Sequence, residues 1–297
     1  MRIASLIPSA TELLFELGLG DQVIGVTHEC DYPPAALGLP QLTRSVIDGG
    51  LAAAAIDSAV RELTLAGEAI YELDEEELAG LEPDLIVTQA LCGVCAVAFE
   101  DVVAVAETMR SRPQVISLDP RTLGEVLGDV RTLAEATNRA DAGLALVQDA
   151  AWRVDRVRHS VRTCARPRVA ALEWLDPPFA AGHWTPQLID YAGGEDALGM
   201  PGEHSRQCSW EEIAAAAPEI VVVMPCGYDT PRAREEALAQ RERLAGLGAA
   251  DIVAVDASAY FSRPGPRLID GLELLAHILH PDRFPDTPGG SIPVVLR

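Results

Sequence analysis

Two thirteen-residue stretches constrain this chain most. Glu75-Glu-Glu-Leu-Ala-Gly-Leu-Glu-Pro-Asp-Leu-Ile-Val87 and Trp210-Glu-Glu-Ile-Ala-Ala-Ala-Ala-Pro-Glu-Ile-Val-Val222 set Glu76 against Glu211 and Pro83 against Pro218. Each reads as a short helix, a proline turn and a buried strand. Val115-Ile-Ser-Leu-Asp119 and Ile252-Val-Ala-Val-Asp256 follow in the same order, so the chain predicts two related halves. Its 297 residues also exceed what a single core usually holds.

Between these landmarks strands alternate with helices. Ile3-Ala-Ser-Leu-Ile-Pro8 predicts a buried strand, and Ser9-Ala-Thr-Glu12 has the capping-box pattern that opens a helix, which ends at Gly18-Leu-Gly20. Residues 22–27, 85–88 and 114–118 predict further strands and 74–81 a helix. This alternation is the signature of an α/β fold with mostly parallel sheets. After Thr122 the strand pattern stops. Leu123, Val126, Leu127, Val130 and Leu133 recur at helical spacing, Thr137-Asn138 interrupts, and a longer helix over 140–161 follows on Leu144, Val147, Ala151, Val154 and Val157. At 1.5 Å per residue that helix reaches about 30 Å. Arg168-Val-Ala-Ala-Leu172 restarts the strands, and the last helix spans about 266–279. The expected organisation is an α/β lobe over 1–121, a helical linker over 122–163 and a second α/β lobe over 164–297.

Forty-five acidic residues against 23 basic ones give a net charge of −22. Such a chain repels phosphate backbones and anionic head groups, and no basic cluster is expected to offset this locally, so neither nucleic acid nor a membrane surface is an expected partner. The start at Met1-Arg2-Ile3 has no basic stretch leading into a long apolar one, which predicts a cytoplasmic protein with no membrane insertion. Six cysteines are too sparse for a disulfide scaffold.

In an open α/β sheet, ligands settle outside the carboxyl ends of the strands. The chemically interesting side chains fall there: His28, Cys30 and Tyr32; Cys92 and Cys95; Glu173 and Trp174; Cys226 and Tyr228; Tyr260 and Phe261. Phe179, His183 and Trp184 add aromatic surface, and Ser262-Arg-Pro-Gly-Pro-Arg267 offers Arg263, Arg267 and free backbone N–H groups at a helix start. Cys92-Gly-Val-Cys95 has the spacing of a redox dithiol, and with His28, Cys30, Cys208 or Cys226 it could complete a zinc site. A pocket wall of small soft side chains is the simpler reading. His159, His277, His280 and Cys164 read as structural. No phosphate-loop, nucleophile-elbow or zincin motif occurs, so an enzyme would rest on the thiols alone.

Ile7-Pro-Ser-Ala-Thr-Glu-Leu13, taken with Asp31-Tyr32-Pro33, Pro83-Asp84-Leu85-Ile86, Pro177-Pro178-Phe179, Gly193-Gly194 and Pro266-Arg267, resembles the cobalamin-binding branch of the helical-backbone (class III) periplasmic substrate-binding proteins. The resemblance runs in order over nearly the whole chain. It implies two Rossmann-like lobes joined by one long helix, a corrinoid such as cobalamin or a precursor clamped between them, and no catalysis. His28 then becomes a candidate axial ligand to cobalt. Exported members carry a leader, so this chain is expected to act in intracellular capture, delivery or sensing, its partner an ABC permease or a corrinoid enzyme. The resemblance also implies acidic docking residues, with Glu100 near the place expected in the first lobe. A thiol- or metal-dependent enzyme using Cys92 and Cys95, and the same fold holding haem or another metal chelate, are the alternatives.

Overall fold

A computed structural model describes residues 1–90, 97–285 and 290–294. The chain divides into two compact units, Met1–Pro120 with Gly128–Leu146, and Arg121–Leu127 with Val147–Arg297.

The first unit contains β1 (Ile3–Ser5), α1 (Pro8–Glu16), β2 (Val23–Val26), β3 (Thr43–Ser45), α2 (Ala53–Ala66), β4 (Tyr71–Leu73), α3 (Glu75–Gly80), β5 (Leu85–Thr88), α4 (Phe99–Thr108) and β6 (Gln114–Ser117). Its main sheet has the order β2-β1-β5-β6 with every neighbouring pair parallel. β1 and β5 are buried at every position, which is why they read as unbroken apolar runs. Ala4, Leu6, Leu78, Ile86, Val102 and Met109 share one core. The chain leaves β1 in one direction to reach β2 and in the other to reach β5 and β6, so the order reverses at β1 and β5. Carboxyl-end loops part at such a point and leave a crevice. β3 and β4 pair antiparallel in a separate small sheet.

Two helices follow, α5 (Leu123–Ala136) and α6 (Ala140–Val161), and the division between the units falls inside both. The second unit continues with β7 (Arg168–Leu175), β8 (Pro178–Ala180), α7 (Thr185–Tyr191), β9 (Glu195–Asp196), β10 (Arg206–Gln207), α8 (Trp210–Ala215), β11 (Ile220–Val223), α9 (Thr230–Ala239), α10 (Arg241–Ala245), β12 (Asp251–Val255), α11 (Ala257–Tyr260), α12 (Leu268–Leu279) and β13 (Ser291–Pro293). Its sheet has the order β10-β8-β7-β11-β12-β13. β7, β11 and β12 are parallel, β9 pairs parallel with β7, and the flanking pairs β7–β8, β8–β10 and β12–β13 are antiparallel.

The sequence repeat is a structural repeat. Asp74 caps α3 by accepting from the Glu77 N–H, and Ser209 caps α8 by accepting from the Glu212 N–H. Both helices are six residues long, and Leu78 and Ile213 sit at the same place in them, each fully buried. Burying such a side chain contributes about 1.5–3 kcal/mol. Each turn then passes through a left-handed residue and a proline into a fully buried strand, β5 or β11. β5 lies between β1 and β6 as β11 lies between β7 and β12.

One local expectation fails. The capping residue of α1 is Ile7 and not Ser9, and no side chain caps it. Pro8 occupies the first turn, where its missing N–H costs nothing and its fixed φ suits a helix. Ser9 and Thr11 therefore lie inside the helix on its buried face.

Candidate functional site

In the first unit a polar network gathers at the carboxyl ends of β1 and β2. Residues 40–42 run beside β2, with the Leu42 N–H donating to the Val26 carbonyl at 2.8 Å. Gly25 permits this approach, since a Cβ there would meet the Leu42 side chain at 2.7 Å. Thr43 is thereby delivered to His28. The Thr43 hydroxyl donates to Thr27 Oγ1 at 2.7 Å and accepts from the His28 backbone N–H at 3.2 Å, and its oxygen lies 2.8 Å from His28 Nδ1. With its proton given to Thr27, this hydroxyl suits the tautomer that carries the hydrogen on Nδ1 and the lone pair on Nε2. Burial pushes the His28 pKa down, against the raising influence of Glu29 and the bond to Thr43. Tyr71 packs its ring 5.4 Å from the imidazole and donates to Glu29 at 3.0 Å. Cys30 is buried, with its sulfur 3.0 Å from Thr11 Oγ1, and Thr11 in turn donates to Ser5 at 2.8 Å. Tyr32 is 39% exposed. Cys92 and Cys95 lie outside the described residues. Glu100 is exposed in the first turn of α4.

In the second unit the loops after β7, β11 and β12 are tied together. The Cys226 N–H donates to the Glu173 carbonyl, the Gly227 N–H to the Ser262 hydroxyl, and the Ala257 and Ser258 N–H groups to the Tyr228 carbonyl. Trp174 on β7 stands opposite Phe179 on β8. Its ring meets Tyr228 edge-on at 5.4 Å, and the Arg232 guanidinium covers the Tyr228 ring at 3.7 Å while donating to its hydroxyl at 3.1 Å. Trp184 and Phe261 lie deeper, 6% and 4% exposed, with Trp184 Nε1 donating to the Phe261 carbonyl at 2.8 Å. Tyr260, Arg263 and Arg267 are half-buried on the segment leading into α12.

His183 holds a left-handed backbone, φ 52°, and its ring Nε2 lies 3.2 Å from Nδ1 of His204. Gly182 makes the pairing possible: a Cβ there would fall 2.4 Å from the Ser205 backbone nitrogen. Burial lowers the His183 pKa, and the nearby His204 and Arg121 lower it further.

Among the described residues no three His, Cys, Asp or Glu side chains converge as a metal site. Cys208 is buried, and burial raises its thiol pKa, the environment of an unreactive cysteine. Thr27, Thr43, Tyr71, Arg232 and His204 belong to these networks and carry no motif in the sequence. The adjacency of Thr27 to His28 is the one visible hint.

The family model described as periplasmic binding protein matches residues 3–252. The chain belongs to the periplasmic binding protein family. Within it, the vitamin B12-binding protein of Vibrio cholerae is 22% identical over 278 residues, covering 92% of this chain and 86% of that one. The crystal structure of the periplasmic vitamin B12 binding protein of V. cholerae superposes with a TM-score of 0.68 over 94% of this chain and 96% of that one, at 21% identity. A periplasmic heme binding protein from Pseudomonas aeruginosa reaches 0.72 over 99% and 95%, at 19% identity. An ABC transporter substrate-binding lipoprotein of Bacillus subtilis is 22% identical over 300 residues, covering 95% of this chain and 81% of that one. At these identities the solved structures show a common fold. Periplasmic binding proteins and lipoproteins work outside the cytoplasm, which overturns the cytoplasmic expectation drawn from the first residues of the sequence.

Proposed function

We propose that this periplasmic binding protein is a non-catalytic carrier of a corrinoid, cobalamin or a precursor, which it presents outside the cytoplasm to an ABC permease. His28 carries the reading. A neutral imidazole whose Nδ1–H is held by a hydroxyl, itself held by a second hydroxyl, is how proteins orient a histidine for a metal. Its Nε2 would take an axial position on cobalt. A corrin is a broad apolar disc fringed with amides, which suits the aromatic surfaces of Trp174, Phe179, Tyr228 and Tyr260 and the donors of Ser262 and Arg263. The vitamin B12-binding relatives support the ligand class. Glu100, exposed on α4, is the proposed contact to the permease in the first unit.

The test is titration of the full chain with hydroxocobalamin and cyanocobalamin, following visible spectrum and heat together. One-to-one binding with a shift of the hydroxocobalamin spectrum, lost in His28→Ala, is expected. Binding of neither form overturns the corrinoid reading. Haem is the second reading, supported by the heme-binding neighbours and by the same imidazole, and a Soret titration with hemin separates the two. Replacing Cys92 and Cys95 together by serine should leave the affinity within a few-fold; its loss would instead favour a thiol or metal centre.

A further inference from the structure

Between residues 153 and 168 the charge of the chain reverses. Arg153, Arg156, Arg158, Arg162, Arg166 and Arg168 stand there with Asp155 as the one acid, six of the 23 cations of a chain that has no lysine. This corrects the expectation that nothing offsets the acidic charge locally. A helix carboxyl terminus carries about half a negative charge, which one or two nearby cations satisfy. Arg153 is held by Asp270 and Glu273 and Arg168 by Glu195 and the Ala216 carbonyl, which leaves four arginines in need of another account.

The run ends α6 and leads into the amino end of β7, the end of that strand away from Trp174. An open depression of about 800 Å³ lies here, walled by Arg156, Arg158, Arg162 and Arg166, a size within the usual range of small-molecule sites. Two of its guanidiniums rest on aromatic rings, Arg156 on Trp152 at 5.0 Å and Arg158 on Tyr191 at 4.8 Å. Trp152 is 60% exposed, which leaves part of its ring open to a ligand in the depression. Arg156 also bonds Glu273, and Arg166 bonds Asp190 and the Gly194 carbonyl, both at 2.5 Å. The other donors are uncommitted. The nearest carboxylate to Arg158 is Asp155 at 4.0 Å, and the side chains of Arg162 and His159 have no partner among the described residues. The rings hold guanidinium planes in place, and their forks match the oxygens of phosphate groups.

We propose that this depression binds a small soluble polyanion bearing two or more phosphate groups. The concavity favours a compact ligand over a flat membrane surface. Four arginines against Asp155 and Asp190 leave it cationic in a strongly acidic molecule.

Isothermal titration of the full chain with inorganic tripolyphosphate at low salt tests this. Saturable one-to-one binding is expected, weakened about tenfold or more by Arg162→Gln and further by Arg158→Gln with Arg162→Gln, as loss of charge-assisted bonds requires. Arg162 is exposed, so its variant is expected to unfold as the parent does. Arg110→Gln, an exposed arginine on α4's carboxyl side, should leave binding unchanged. Absence of saturable binding overturns the proposal. So does equal weakening by Arg110→Gln, which would mark non-specific attraction, or citrate binding as tightly as tripolyphosphate, which would remove the phosphate class. Uptake onto phosphatidylglycerol vesicles without tripolyphosphate binding would assign the patch to a membrane and overturn it as well.

Discussion

Glu82 and Ala217 occupy the same step of the repeated turn and hold the same left-handed backbone, φ 44° and 46°. Side chains with a Cβ are strained there by about 1–2 kcal/mol. Both residues are exposed, so nothing is lost by shortening them. Glu82→Gly and Ala217→Gly should each raise the free energy of urea unfolding by about 0.5–1 kcal/mol, net of glycine's extra entropy in the unfolded chain. Because the two lie in different units, the double variant should show the sum. A decrease at either position would refute the matching strain.

The repeat was legible because its signals are local: a capping residue, a proline, and a buried strand that needs no alternation. The long helix over 140–161 is likewise written in one apolar stripe, and α6 has those bounds. Ser9 misled because a capping-box pattern competes with Pro8, and the proline decides where the helix starts. The site was legible only in part. His28 falls in a loop after a strand, where chemistry is expected, but its partner Thr43 reaches it through the pairing of residues 40–42 with β2, a contact that no short pattern announces. The basic depression is hidden in the net charge for a different reason. Net charge averages over the chain, whereas a field is set by neighbours.

Thr43 supports His28 and should matter only through it. Thr43→Val keeps the shape of a buried side chain but removes the oxygen that accepts from Nδ1. Loss of such a supporting partner typically costs about 10–100-fold in metal affinity. Hydroxocobalamin affinity should fall by about that factor in the parent and be unaffected by Thr43→Val in a His28→Ala background. An equal loss in both backgrounds would make Thr43 a packing residue.

The pairing of His183 with His204 should be visible in a pH titration. Burial, His204 and Arg121 all lower the His183 pKa, so the folded state prefers the neutral ring. A group depressed on folding contributes stability above its unfolded value, near 6.5, and loses it as the pH falls through the folded value. The unfolding free energy is therefore expected to decline on acidification below about pH 6.5. His204→Gln removes the neighbouring imidazole and leaves burial, so the His183 imidazole, followed by NMR, should titrate higher but still below 6.5. An unchanged titration would show that the two rings do not share charge.

Arg153 joins two helices of the second unit. From α6 its Nη2 donates to Asp270 at 2.6 Å and to Glu273 Oε2 at 2.7 Å on α12, and its Nε donates to Glu273 Oε1 at 3.0 Å. The Glu273 side chain is 16% exposed, so water contributes little to its solvation. Burial alone would raise its pKa, and the bonds from Arg153 and Arg156 outweigh burial and hold it below the ordinary 4.5. Its stabilisation is therefore complete above 4.5 and disappears as the pH falls through the lower folded value. Arg153→Met keeps the apolar stem and removes the donors, which leaves a mostly buried carboxylate short of partners; the cost at pH 7 should be about 1.5–3 kcal/mol. As the pH falls through that lower folded value the carboxyl takes up its proton, and the same substitution should cost progressively less. Urea unfolding of parent and variant along a series of decreasing pH decides it. A loss independent of pH would mean that Arg153 holds α6 to α12 by packing of its stem, with the charges contributing nothing.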